Sequence, residues 1–315
     1  MIEVAGAGFL SIIVDSGRYG HAHIGVPPSY ALDRFSYVLL QYLLDNPNNA
    51  PAIEVMGNDL RLRFAEEMIF AITGAKVAAT LDDIPIPGWS AIKARKGSFL
   101  RVREVKEGLR YYIGFSGTMD IGPVLGSHTT NLECNFGGFH GRPLIKGDTI
   151  PLKNVRARGE LKMVPDTMIP SMQEPHMIRV IAGPEADRFV PRSAAFLSNR
   201  KDAVFFNATS RLNRTGVRLE GTPFEFRQEV EKSIISEGIL PGTVQVPPDG
   251  LPIISLAERT VGGYARIAMV ADIDMDRLAH IKPRDRVFLR AIDIDEADRL
   301  WRARRDALSF YCKKQ

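Results

Sequence analysis

Cysteine is nearly absent: Cys134 and Cys312 are the only two in 315 residues. That excludes a disulfide scaffold and any module stapled by cysteine-ligated zinc. Long apolar runs are also missing, and none reaches the roughly 18–20 residues that a bilayer-spanning helix needs. Charge of one sign is not in excess either. Lys and Arg number 41 against 37 Asp and Glu, a net charge of +4. A nucleic-acid footprint needs a local basic patch. The densest basic stretch, Arg299, Arg302, Arg304 and Arg305, reads as the polar face of a helix. The opening MIEVAGAGFLSIIVDSG has no basic segment before its apolar part and reaches Asp15 early, so it reads as a first strand rather than an export signal. The expectation is a cytoplasmic protein with neither membrane nor nucleic acid as partner.

Local catalytic signatures are missing as well. No GxxxxGK[ST] phosphate loop, GxSxG elbow or HExxH pair occurs. No GxGxxG opens a strand–helix unit, since Gly6-Ala7-Gly8-Phe9 runs on into strand-like residues. His21 and His23 would face one side of a strand, but two imidazoles do not make a metal site. No metal ligands are therefore assigned.

What is present is punctuation. Glycine (27) and proline (20) are spread along the chain and bound short runs of Val, Ile, Leu, Phe and Tyr. Leu60–Phe64, Met68–Thr73, Phe99–Val102, Leu109–Phe115, Met177–Ile181, Ala203–Phe206, Ile253–Leu256 and Ile267–Val270 are strand-sized. Leu60-Arg61-Leu62-Arg63-Phe64 alternates with period two, which places both arginines toward solvent. Helical spacing appears in four places: 30–44, 185–197 (with Pro191 inside it), 274–281 and 294–311. In the last, Ala297, Leu300, Trp301, Arg304, Leu308 and Tyr311 share a stripe. The pattern predicts a mainly β protein with a few helices. At roughly 100–200 residues per domain, the length suggests two domains. The charged, proline-rich region 156–175 divides them, giving residues 1–165 and 166–315. Two β-barrels, each with a helix against an open end, fit this plan.

Four clusters carry donors and acceptors. Asp15-Ser16-Gly17-Arg18 reads either as a turn carboxylate and a buried ion pair, or as an anion clamp. Ser29 is placed to cap the helix that follows. Gly114–Gly117 and 122–131, with Ser127 and His128, offer backbone N–H groups and hydroxyls that cradle an anion or satisfy one another. Between Thr209 and Gly221, Arg211, Arg214 and Arg218 crowd together, and Arg218 faces opposite to Val217 and Leu219 on a strand. They are sheet-surface charge or anion-binding guanidiniums. Glu258-Arg259-Thr260-Val261-Gly262-Gly263-Tyr264 follows a strand. It reads as a hairpin turn or as a ligand loop in which Glu258 is a base and Tyr264 a wall.

In order and spacing these clusters resemble the family of 5-oxoprolinase C subunits, also described as biotin-dependent carboxyltransferase or allophanate hydrolase subunit 2. Its marks are Asp15, Gly17-Arg18, Gly25-Val26-Pro27, Ser29, Asp33, Glu54, Val124-Leu125-Gly126-Ser127, Asn213-Arg214, Gly216, Arg218-Leu219, Ser236-Glu237-Gly238-Ile239, Gln245-Val246-Pro247 and Gly262-Gly263-Tyr264. The resemblance implies two cyclophilin-like β-barrel domains. It implies ATP-dependent opening of 5-oxo-L-proline to L-glutamate, with Mg2+ accompanying ATP, in a hetero-oligomer with A and B subunits. It implies catalytic roles for Glu258, Asp33 and His128, and substrate or ATP contacts from Arg18, Glu54, Ser127, Arg214, Arg218, Gly262, Gly263 and Tyr264. Two alternatives accompany it: a related ATP- or biotin-linked carboxyltransferase or amide hydrolase of the urea/allophanate type, and a non-catalytic regulatory subunit. The chain departs from the family at Tyr30, where glycine is usual. It departs again at 258–265, where a glutamine is missing and the loop is one residue short.

Overall fold

The computed structural model describes residues 1–198 and 202–312. It is mainly β, with four α-helices among the described residues. Contacts group the chain into two compact units, one built from residues 1–18 and 29–172 and the other from 19–28 and 173–310.

The first unit is an open half-barrel. Its sheet runs from Thr149–Ile150 through Ile2–Ala7, Leu60–Phe64, Phe99–Phe115 and Ala52–Met56 to Leu10–Val14. Met68–Leu81 pairs with Phe99–Phe115 along nearly its whole length. Leu60–Phe64 alternates in burial as its sequence does, with Leu60, Leu62 and Phe64 inward and both arginines out. The long pairing is interrupted at Gly74, where the register shifts and φ is +89°. A Cβ there would stand 2.8 Å from the Arg110 carbonyl oxygen, so glycine allows the bend that a side chain would block. Phe64, Phe70 and Phe115 form an aromatic centre, with ring centroids 5.0 and 6.1 Å apart. The helix Arg34–Leu43 covers it with Leu39, Leu40 and Leu43, all buried. This helix starts four residues later than the apolar spacing predicts. Asp33, not Ser29, caps it, and Tyr30–Leu32 are buried in a non-helical lead-in.

The second unit is a closed ring of seven strands. Neighbours around it are His176–Ala182, Arg286–Ala291, Ala203–Leu212, Gly216–Gly221, Ile253–Ser255, Thr243–Val246 and Val261–Val270, and the last pairs back onto the first. Ser233–Gly238 is added outside the ring, on Val261–Val270. Phe189, Phe206 and Phe224 pack its interior, with centroids 5.3 to 6.1 Å apart. The segment predicted as one helix over 185–197 is two: a 3-10 turn, Ala186–Arg188, and the helix Pro191–Ser198. Pro191 lacks an N–H and opens the second helix, where no donor is needed. The predicted 274–281 helix is likewise a 3-10 turn, Asp272–Asp274, followed by Met275–Leu278. In the terminal helix Ile294–Cys312, Ala297, Leu300, Arg304 and Leu308 form a half-buried stripe. Trp301 is exposed, and the side chains of Tyr311 and Cys312 lie outside the described residues.

Candidate functional site

In the first unit the predicted residues fall into two buried groups. Asp15 organises the first. Its Oδ1 accepts from Ser127 Oγ (2.7 Å) and the Gly17 N–H (2.8 Å), and its Oδ2 accepts from the His128 N–H (2.6 Å). Arg18 is 1% exposed. Its Nε donates to the Val124 carbonyl and its Nη2 to the Thr129 carbonyl, both at 2.9 Å, and its guanidinium lies 4.6 Å from the Phe136 ring centroid. Asp15 and Arg18 therefore brace the 124–136 loop. The His128 ring reaches no hydrogen-bond partner at its buried Nδ1 among the described residues.

The second group centres on Tyr112. The Asp33 N–H donates to the Tyr112 oxygen (2.8 Å), and the Tyr112 hydroxyl donates to Glu54 Oε2 (2.8 Å). Glu54 Oε2 also accepts from the Leu32 N–H (3.0 Å), and Arg110 Nε lies 3.7 Å from Oε1. Burial, reinforced by the Glu54 and Asp33 charges, holds the Tyr112 phenol well above its ordinary range. Asp33 accepts from the Ser36 N–H (2.9 Å) and from the Ser36 hydroxyl, which makes it the cap of Arg34–Leu43. In this arrangement Asp33 and Glu54 lock the lead-in to that helix.

In the second unit Arg214 and Glu258 form a buried pair, Nε to Oε1 at 3.0 Å, with the two residues 4% and 5% exposed. The Glu258 N–H also donates to the Arg214 carbonyl (3.1 Å). Beside this pair lies a pocket of about 310 Å3. Arg211, Arg218, Arg259 and Tyr264 line it, with Leu212 and Ile253 as apolar wall. Arg218 faces outward between inward-facing Val217 and Leu219, as its strand position predicts. Arg211 enters the pocket because the ladder between Ala203–Leu212 and Gly216–Gly221 breaks its register between Ala208 and Leu212. Gly262, Gly263 and Tyr264 lie on the strand Val261–Val270, not in a turn. Gly262 gives room to Gln245: a Cβ there would sit 2.2 Å from Gln245 Oε1. Gly263 faces Ser236 Oγ in the same way, at 2.9 Å.

A family model described as "Carboxyltransferase domain, subdomain A and B" matches residues 24–291. The chain belongs to this carboxyltransferase-domain family. Within the match lie both members of the Arg214–Glu258 pair and the whole pocket, while Arg18 falls before it. The chain is 32% identical to the C subunit of 5-oxoprolinase from Escherichia coli, over 99% of its own length and 96% of that relative. It is 32% identical to the C subunit of the Haemophilus influenzae 5-oxoprolinase, over 96% of its length and 94% of the relative. It also superposes on the crystal structure of the K. lactis urea amidolyase with a TM-score of 0.89 and 26% identity. That superposition covers 98% of this chain but 20% of the larger one. The carboxyltransferase-domain architecture is thus the one described above, a closed barrel and a half-barrel.

Arg259, Gln245 and Ser255 have no individual role assigned by sequence patterning, yet they line the pocket together with Arg211, one of the arginines read as sheet-surface charge or anion-binding. Gln245 carries a local signal: it is a polar residue on a strand, Thr243–Val246, that is buried throughout. Its Nε2 donates to Ser255 Oγ (2.9 Å), and its Oε1 is buried with no hydrogen-bond partner among the described residues.

Proposed function

We propose that this chain is the C subunit of an ATP-dependent 5-oxoprolinase, acting with A and B subunits to open 5-oxo-L-proline to L-glutamate. The observation that carries the reading is extent. The E. coli relative and this chain match over 96% and 99% of their lengths, whereas the urea amidolyase contains a region like this one as a fifth of a longer chain. The chemistry is coherent with the residues present. A lactam amide resists water. Transfer of the ATP γ-phosphoryl group to the lactam oxygen releases ADP and makes the ring carbon attackable. Water then adds there, the C–N bond breaks, phosphate leaves, and the product carries a new carboxylate and a free amine. Guanidinium donors stabilise the charge that develops on phosphoryl and carboxylate oxygens.

Within this reading Arg214 and Glu258 hold the loop behind the pocket rather than contact the reacting atoms. His128, with its unpartnered Nδ1, is the candidate for proton transfer in the first unit. Mg2+ would arrive with the phosphates of ATP. Among the described residues no group of three or more His, Cys, Asp or Glu is arranged to hold a metal, so no step is assigned to a metal held by this chain.

A second reading, action on a urea-type amide with carboxyl transfer, draws on the family model and the K. lactis fold. Phosphate release by the chain co-purified with its natural partners separates the two. The proposal expects stimulation by 5-oxo-L-proline and none by urea. Stimulation by urea with bicarbonate incorporation would favour the second reading. No stimulation by either in an intact complex would make the chain a regulatory subunit.

A further inference from the structure

We infer that the pocket of the second unit holds a small oxyanion, a carboxylate or a phosphate, through Arg211, Arg218 and Arg259. The inference deepens the proposed function by assigning a ligand class to particular side chains, and it rests on that reading only for the identity of the ligand.

The first support is an imbalance of charge. Several arginines of this unit meet carboxylates, Arg179 with Asp274 at 2.6 Å, Arg266 with Glu185 at 2.6 Å and Arg214 with Glu258 at 3.0 Å, while Arg188 and Arg227 donate to backbone carbonyls. Arg211, Arg218 and Arg259 have no carboxylate partner among the described residues, and no Asp or Glu lines the pocket. Three arginines thus line one concavity with no carboxylate among its lining residues, an arrangement that favours an anion. The concavity also concentrates their field on whatever enters. The second support is preorganisation. Arg259 Nε donates to the Val261 carbonyl (2.8 Å), which fixes the guanidinium plane and leaves its terminal nitrogens for a ligand. A ligand bearing an oxyanion would meet these guanidinium donors. The volume, about 310 Å3, suits a small molecule.

The test is calorimetric titration of the full chain with three probes: 5-oxo-L-proline, inorganic phosphate, and 2-pyrrolidinone, the same ring without the carboxylate. The inference expects 5-oxo-L-proline or phosphate to bind and 2-pyrrolidinone to bind at least tenfold more weakly. It also expects Arg218→Met to weaken the anion at least tenfold, Arg218→Lys to restore part of the loss, and added salt to weaken binding. Binding of 5-oxo-L-proline alone assigns the site to the carboxylate, and binding of phosphate alone assigns it to phosphoryl groups. Equal affinity for the neutral lactam, no binding of either anion, or an anion affinity that Arg218→Met leaves unchanged would overturn the inference. Unaltered circular dichroism of the variants keeps the comparison valid. Because no turnover is measured, anion binding without 5-oxoproline-dependent ATP hydrolysis would refute the proposed function and leave this site standing. Turnover without anion binding here would do the reverse.

Discussion

The Arg214–Glu258 pair is the sharpest test of how the second unit is built. At 3.0 Å, two unit charges attract by about 5–6 kcal/mol at an effective dielectric of about 20. Desolvation offsets much of this, because both side chains are almost wholly removed from water. Arg214→Met leaves the Glu258 carboxylate buried without this counter-charge, a change that costs about 3–5 kcal/mol. For a unit of this size each kcal/mol shifts the melting temperature by about 2–4 °C, so the variant should melt roughly 6–20 °C lower by differential scanning calorimetry. The double variant Arg214→Met/Glu258→Leu removes both charges and should melt above either single variant. A fall of less than about 2 °C for Arg214→Met, or a double variant whose loss is the sum of the single ones, would refute the buried-pair reasoning. Glu258→Gln separates structure from chemistry. If it abolished turnover in the assembled complex at an unchanged melting temperature, Glu258 would be a base and not a brace.

Asp33→Ala should lower the urea midpoint by an amount equivalent to about 1 kcal/mol, the worth of a helix cap. Asp33→Asn, which can still accept from the Ser36 N–H, should restore most of that stability and keep turnover, and lost turnover with stability retained would return Asp33 to the chemistry. Gly262→Ala drives a methyl against Gln245 Oε1 and should cost about 1–3 kcal/mol as overpacking, read from the same denaturation curve. Bonding from the Arg266 side chain holds the Glu185 carboxyl below its ordinary range. Its folded pKa is depressed, so the pair's stabilisation is present above the unfolded value near 4.5 and is lost as pH falls through the folded one. The melting-temperature gap between wild type and Glu185→Gln should therefore be widest near pH 7 and close toward pH 3, and a gap independent of pH would refute the assignment.

The fold is legible in the sequence where burial follows one simple period. Leu60–Phe64 alternates in both sequence and structure because one face meets the core and the other meets water. Phe99–Phe115 reads as two strands because Arg103, Glu104, Lys106 and Glu107 interrupt the apolar pattern. That middle stretch is largely exposed, so backbone pairing with Met68–Leu81 continues where no side-chain period marks it. The first helix reads too long because Tyr30 and Leu32 are buried, yet they are buried by a non-helical segment tied to Glu54 rather than by a helical face. At the site, local sequence shows that arginines crowd between 211 and 218 but not which one is neutralised. The partner of Arg214 stands 44 positions away, whereas Arg218 meets no carboxylate among the described residues. The pocket position of Arg211 follows from a register break that no composition reports. The family resemblance points to the architecture and to a class of chemistry, but the division of the arginines into brace and pocket comes from geometry.

If this chain is a C subunit of 5-oxoprolinase, ATP-driven lactam opening requires it. The most direct measurement is the yield of glutamate per phosphate released from 5-oxo-L-proline by the A and B subunits, with and without this chain. One glutamate per phosphate is expected when the chain is present, and loss of that product when it is left out. Undiminished glutamate formation without the chain, or phosphate released with no glutamate when it is present, would contradict it.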